Sequence, residues 1–137
     1  MGHLIDSSVL IGMERRGLHV ADFARIAADE PSAIATITAS ELIMGVHCAR
    51  RLEVSRRAEP FIERILEEIP VLAFDLAVAR VHAQLWAQLK GAGRMIGPHD
   101  LLIAATASTH GYSVLTDNLR DFERVPGLLV RQPQWPQ

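Results

Sequence analysis

The chain of 137 residues holds one cysteine, Cys48, and one lysine, Lys90. A single thiol excludes an internal disulfide and any cysteine-rich zinc cluster. It fits a reducing setting, so a cytoplasmic location is the expectation. No apolar run approaches the ~20 residues that a membrane-spanning helix requires. The opening Met1-Gly2-His3-Leu4-Ile5-Asp6 lacks the basic region and long apolar stretch of a signal peptide. No glycine-rich phosphate loop and no Ser-His-Asp order stands out. The six histidines show no metal-ligand spacing, and there is no internal repeat, low-complexity tract or linker. Excess positive charge is also missing: 14 Lys and Arg face 16 Asp and Glu, for a net charge of −2 and a pI near 6.3. That balance argues against broad electrostatic adhesion to nucleic acid. Arg50, Arg51, Arg56 and Arg57 form a local basic cluster, whose ordinary reading is a solvated helix face.

What is present suits one compact domain. Hydrophobic residues make up 49% and charged residues 22%, enough for a normal core without disulfides. The expected domain runs over 1–131, followed by a tail over 132–137 in which Trp135 is expected to be loose. Short strands are expected at His3–Ile5, Ser32–Ile37, Val71–Phe74, Ser113–Leu115 and Leu128–Val130, each bounded by Gly, Pro or a polar residue. Helices are expected between them: Ser8–Glu14, Val20–Ala28, one capped by Thr38, Arg56–Ile69, Leu76–Lys90 and His99–His110. Thr38 and Glu41 have the spacing of a capping box. Asp75 is a candidate N-cap, and Gly91 and Gly111 are candidate stops. Strands alternating with helices predict an α/β fold of three layers, α/β/α, around a central, mainly parallel sheet of four to five strands.

Four of the acidic residues stand apart from the surface set. Asp6 follows the apolar Leu4-Ile5. Glu41 lies early in the helix after Ile34-Ala35-Thr36-Ile37. Asp100 opens the most apolar helix, and Asp117 ends Ser113-Val114-Leu115-Thr116. Each has an ordinary local role available: an N-cap, a capping box, a helix-dipole charge and an Asx-turn, respectively. In a parallel sheet, however, these positions converge on the carboxyl edge, where such folds bind ligands. Clustered carboxylates repel one another and call for a cation, and an oxygen-only site suits Mg2+ or Mn2+. An ion held there can activate water and offset charge on a phosphodiester. Other α/β phosphotransfer sites fit badly. A haloacid-dehalogenase-type phosphatase needs an acid where Ser8 stands, and a receiver domain needs a late lysine that the chain lacks.

The motifs Leu4-Ile5-Asp6-Ser7-Ser8-Val9-Leu10-Ile11, Thr38-Ala39-Ser40-Glu41-Leu42 with Gly45, Pro98-His99-Asp100-Leu101-Leu102-Ile103-Ala104-Ala105-Thr106-Ala107 and Val114-Leu115-Thr116-Asp117-Asn118 with Asp121-Phe122 occur in this order across nearly the whole chain. With them the chain resembles the PIN-domain family, and more narrowly the VapC-type toxins of bacterial toxin–antitoxin pairs. The resemblance implies an Mg2+- or Mn2+-dependent ribonuclease. Asp6, Glu41, Asp100 and Asp117 take its acidic positions, and Asp6 and Asp100 are the main metal ligands. Asn118 or Asp121 is the alternative to Asp117, and Ser8 and Thr116 are candidate hydroxyl donors. It further implies a homodimer and a VapB-like antitoxin, whose tail lies in a groove near the site and presents a basic residue to the acids. The alternative is a catalytically inactive PIN-like scaffold that binds RNA or protein. Of the remaining residues, Arg94 is a candidate phosphate contact. His99 is expected in a capping or surface role, His47 and Cys48 in packing, Gly45 at a close approach between elements, and Trp86 in the core or a dimer interface.

Overall fold

The computed structural model describes residues 2–136. Five strands form one parallel sheet in the order β3-β2-β1-β4-β5. They are β1 (His3–Ile5), β2 (Ser32–Ala35), β3 (Val71–Leu72), β4 (Ser113–Leu115) and β5 (Val130–Arg131). The helices are α1 (Ser7–Arg15), α2 (Phe23–Ile26), α3 (Thr36–His47), α4 (Leu52–Glu68), α5 (Leu76–Gly91), α6 (Pro98–His110) and α7 (Leu119–Phe122). The expected three layers around a parallel sheet are the observed ones.

The layers follow from the alternation of side chains along each strand. Leu4, Ala33, Ala35 and Val114 point to one face and pack with α5 and α6 through Val78, Leu85, Ile103 and Ala104. Ile5, Ile34 and Leu115 point to the other and pack with α1, α3 and α4 through Leu10, Met13, Leu42 and Ile65. Strands this short and apolar are stable only because both faces are covered. His3 belongs to the core: its Nδ1 lies 2.6 Å from Ser113 Oγ, and burial holds its pKa below the usual histidine value.

β1 lies at the centre, with β2 and β3 on one side and β4 and β5 on the other. The chain order therefore reverses at β1, and the crevice beyond the carboxyl ends of β1 and β4 is the natural ligand position.

Several local expectations shift. β2 stops at Ala35, and α3 starts at Thr36 rather than behind Thr38. Thr36 Oγ1 donates to the Leu72 carbonyl at 3.0 Å, tying the start of α3 to β3, while Thr38 is wholly buried and caps nothing. The segment expected as one helix from Val20 is a 3-10 turn, Val20–Asp22, followed by α2. α4 starts at Leu52 and carries Pro60 within it. The Asp75 cap is present, with Val78 N–H donating to Oδ1 at 3.0 Å. Gly111 ends α6 at φ 69°, a left-handed turn that glycine takes without strain.

Candidate active site

The four acids come from separate elements. Asp6 follows β1, Glu41 lies on α3, Asp100 is in the first turn of α6, and Asp117 follows β4. α6 leads through Gly111 into β4, so it runs back along the sheet and its first turn lies at the carboxyl edge.

Asp6 is buried. It holds the N-cap position of α1, yet its side chain caps nothing. Its Oδ2 instead accepts hydrogen bonds from Ser8 Oγ and Thr116 Oγ1, both at 2.8 Å. Thr116 is itself buried, and its Oγ1 accepts the Asn118 N–H at 2.8 Å. Two hydroxyls thus fix one carboxylate oxygen and leave Oδ1 without a hydrogen bond among the described residues. Asp6 therefore sits at the N-cap position without a capping side chain, and both hydroxyls marked in the sequence touch its carboxylate.

The capping box expected for Glu41 is absent, because α3 starts three residues earlier and Glu41 falls in its second turn. Freed from capping, its carboxylate turns toward α6. Oε2 lies 3.4 Å from His99 Nδ1. Oε1 is buried and has no hydrogen-bond partner. A buried carboxylate oxygen without a donor is costly and marks a place where a ligand, ion or water belongs.

Asp100 has its pKa raised to about 6. Desolvation is the largest cause, followed by the charges of Asp6, Asp121 and Glu41, while His99 pulls the other way. The acid from the loop after β4 that acts on Asp100 is therefore Asp121, in α7. Asp117 is exposed, and its Oδ1 accepts the Trp135 indole N–H at 3.2 Å. Asp121 Oδ2 accepts from Asn118 Nδ2 at 3.2 Å.

The donor set fits a hard divalent cation. It is all oxygen, it is mutually repulsive, and it includes a buried oxygen with no donor. In the orientations shown, no three His, Cys, Asp or Glu side chains among the described residues close around one point. Two hydroxyls hold Asp6, whereas among the described residues the one side-chain contact at Glu41 is His99.

Beside Glu41 runs a groove of about 230 Å³ between α1, α3 and α4. Ile11, Leu42, Val54 and Phe61 line it, with Arg15 and Arg57 at its rim. Arg57 Nε donates to Glu14 Oε1 at 2.7 Å. Gly45 faces the groove and has no neighbour within 4 Å of where a Cβ would be, so it marks open space rather than a close approach. His47 and Cys48 are exposed instead of packed. Trp86 is 43% exposed, with Lys90 Nζ 4.5 Å from its ring centroid, so it is not core. Arg94 is exposed in the loop before α6. Trp135 is not loose: it packs against the α1 side of the core.

The fold and the acid-lined carboxyl edge define a class of small α/β/α domains with a polyanionic site at the switch point of a parallel sheet. The PIN-domain model matches residues 3–128. Ribonuclease VapC1 of Rickettsia felis is 35% identical over 130 residues, 95% of each chain. The tRNA(fMet)-specific endonuclease VapC of Shigella flexneri is 38% identical over 102 residues, 74% of each chain. Among solved structures, DNA-bound VapBC from Salmonella typhimurium superposes with a TM-score of 0.83 at 28% identity, covering 96% of this chain and 98% of that one. The chain belongs to the PIN-domain family, within its VapC branch.

Proposed function

We propose that the chain is a metal-dependent endoribonuclease, the toxin of a toxin–antitoxin pair, with Mg2+ or Mn2+ as its ion. The observation that carries the reading is the acids on the carboxyl edge around the β1–β4 switch point, with the Glu41 oxygen buried and unpaired and Asp100 pushed up to about 6 by burial and its acidic neighbours. Asp6 and Asp100 would hold the ion, with Glu41 and Asp121 as the neighbouring acids. When bound, the ion supplies charge neutralisation at the phosphodiester and a more acidic water.

The chain's own groups do the rest. Ser8 and Thr116 keep the Asp6 carboxylate in one orientation, so no rotamer has to be selected during turnover. Glu41 Oε1 is available to accept a proton from the attacking water. His99, exposed beside Glu41, is a proposed contact to the RNA backbone. Exposed Arg94 is the proposed phosphate contact, which a chain of net charge −2 needs as a local rather than global attraction. The Shigella flexneri relative is named for a tRNA, which supports a structured RNA as substrate. A VapB-like antitoxin tail fits the apolar groove beside Glu41, where a basic side chain could reach the acids. A homodimer is part of the same reading. No helix among the described residues is long and apolar enough to cross a membrane.

The test is cleavage of a panel of structured RNAs by antitoxin-free protein in Mg2+, Mn2+ or chelator, beside Asp6→Asn. Metal-dependent cleavage that vanishes in the variant supports the reading. No cleavage together with no metal binding by calorimetry would replace it with the inactive scaffold.

A further inference from the structure

Ser8 and Gly12 lie on one face of α1, and Arg16, its C-cap, continues the same four-residue spacing. Each touches part of one assembly. Ser8 Oγ donates to Asp6 Oδ2 and accepts the Asp117 N–H at 3.2 Å. Gly12 lies under the Trp135 indole: a Cβ there would be 2.9 Å from two ring carbons. The Arg16 guanidinium stacks on the indole, 3.7 Å from its centroid. The indole N–H then donates to Asp117 Oδ1. The segment leading to Trp135 is itself tied down, with Pro133 buried and Gln134 N–H donating to the Ile26 carbonyl at 3.2 Å.

These contacts close a ring from indole to Asp117, to Ser8, to Asp6. Packing alone accounts for the ring on Gly12 and under Arg16. It does not require the N–H to meet an exposed carboxylate, which water would satisfy equally well. The consequence of that bond is directional. The Asp117 and Asn118 amides donate to Ser8 Oγ and Thr116 Oγ1, the two hydroxyls that hold Asp6 Oδ2. Rotation of this turn would disturb both.

We infer that Trp135 is a positioning residue for the acidic site, acting through Asp117 to hold the Asp117–Asn118 turn and with it the orientation of the Asp6 carboxylate. The inference rests on the nuclease reading above. It assigns a catalytic consequence to a residue on no strand or helix, and it gives Gly12 a reason: any side chain there would lift the indole from α1.

Trp135→Phe keeps a smaller aromatic ring and deletes the N–H. In the full chain, at saturating Mn2+ with a cleaved RNA, kcat should fall about three- to ten-fold, the worth of roughly one hydrogen bond. KM should stay at the wild-type value, and Tm should fall only by what the smaller ring loses in packing on α1. In metal-free protein the Asp117 and Asn118 amides should exchange faster. Asp117→Ala should match Trp135→Phe, the double variant should be no worse than either, and Asp117→Asn, which keeps an acceptor, should restore the wild-type rate. Gly12→Ala reaches the same state by displacing the indole. Wild-type kcat and amide protection in Trp135→Phe, or a loss of Tm alone, overturns the inference. Amide exchange is read without RNA or metal. A wild-type chain that cleaves nothing therefore refutes the nuclease reading, while exchange still judges whether Trp135 holds the turn.

Discussion

Asp100→Asn should make the metal-free protein more stable at neutral pH while abolishing cleavage. In the folded protein the Asp100 pKa is raised from 3.8 to about 6 by burial and by three neighbouring carboxylates. The folded state therefore binds this proton more tightly than the unfolded chain. The associated stability is fully present below about pH 4 and is lost as pH rises through about 6. At pH 7.5 the ionised carboxyl costs the fold ~3 kcal/mol as an upper bound, at ~1.36 kcal/mol per pH unit. Partial solvent access reduces this to about 1–1.5 kcal/mol. Asparagine also gives up a favourable charge in the first turn of α6, worth about 0.3–1 kcal/mol. The net gain is about 0–1.2 kcal/mol, with a midpoint of roughly 0.6 that corresponds to about 2–3 °C for a chain of this size. Thermal melts in chelator at pH 7.5 and pH 4 read it directly. The variant should melt higher at pH 7.5, and the gap should close by pH 4. Added Mn2+ should raise Tm in the wild type and not in the variant. A variant that melts at or below wild type at pH 7.5 would refute the repulsion argument.

Three further outcomes follow from the same geometry. Asp121→Asn should lower Mn2+ affinity and cleavage at least ten-fold, about 1.4 kcal/mol, whereas Asp117→Asn should leave both near wild type; the reverse order would return the fourth acidic position to Asp117. Thr116→Val deletes a donor to Asp6 and the acceptor of the Asn118 N–H, so it should cost about 2 kcal/mol of stability by denaturant melt and lower kcat rather than raise KM. Val54→Asp puts a charge into the apolar groove on α4 and should abolish antitoxin binding in a pull-down while RNA cleavage persists.

Much of this site was legible because its parts lie where local chemistry changes abruptly. Asp6 directly after Leu4-Ile5 and Asp100 at the head of an alanine-rich helix are charges beside apolar runs, and the parallel fold sends both to one edge. The ambiguity lay where three polar residues follow one strand. Asp117, Asn118 and Asp121 are equivalent to any spacing rule. In the folded chain the charge of Asp121 is among those that raise the Asp100 pKa, while Asp117 accepts the indole N–H. The start of α3 was misplaced for a related reason. Thr38 is a good cap in isolation, but Thr36 is within reach of the Leu72 carbonyl, a partner 36 residues away. Trp135 left one signal, a glycine in the middle of α1, where a helix pays about 1 kcal/mol unless something needs the space. What needed it was a side chain 123 positions later along the chain, which no local pattern could supply.

The energetics of the acidic cluster also constrain how such a protein is controlled. Repulsion at Asp100 and the unpaired Glu41 oxygen together make the empty site a high-energy state. Any cation that enters removes the same penalty, whether it is a divalent ion or the basic side chain of a polypeptide lying in the groove beside Glu41. The two then draw on one source of binding free energy and oppose each other. An antitoxin that reaches the acids should therefore bind more weakly as Mn2+ rises, and Asp100→Asn should weaken both ligands. An antitoxin held only by the apolar groove would be indifferent to Mn2+ and to that substitution. A titration of the complex across Mn2+ concentrations separates the two designs without any need for an RNA substrate.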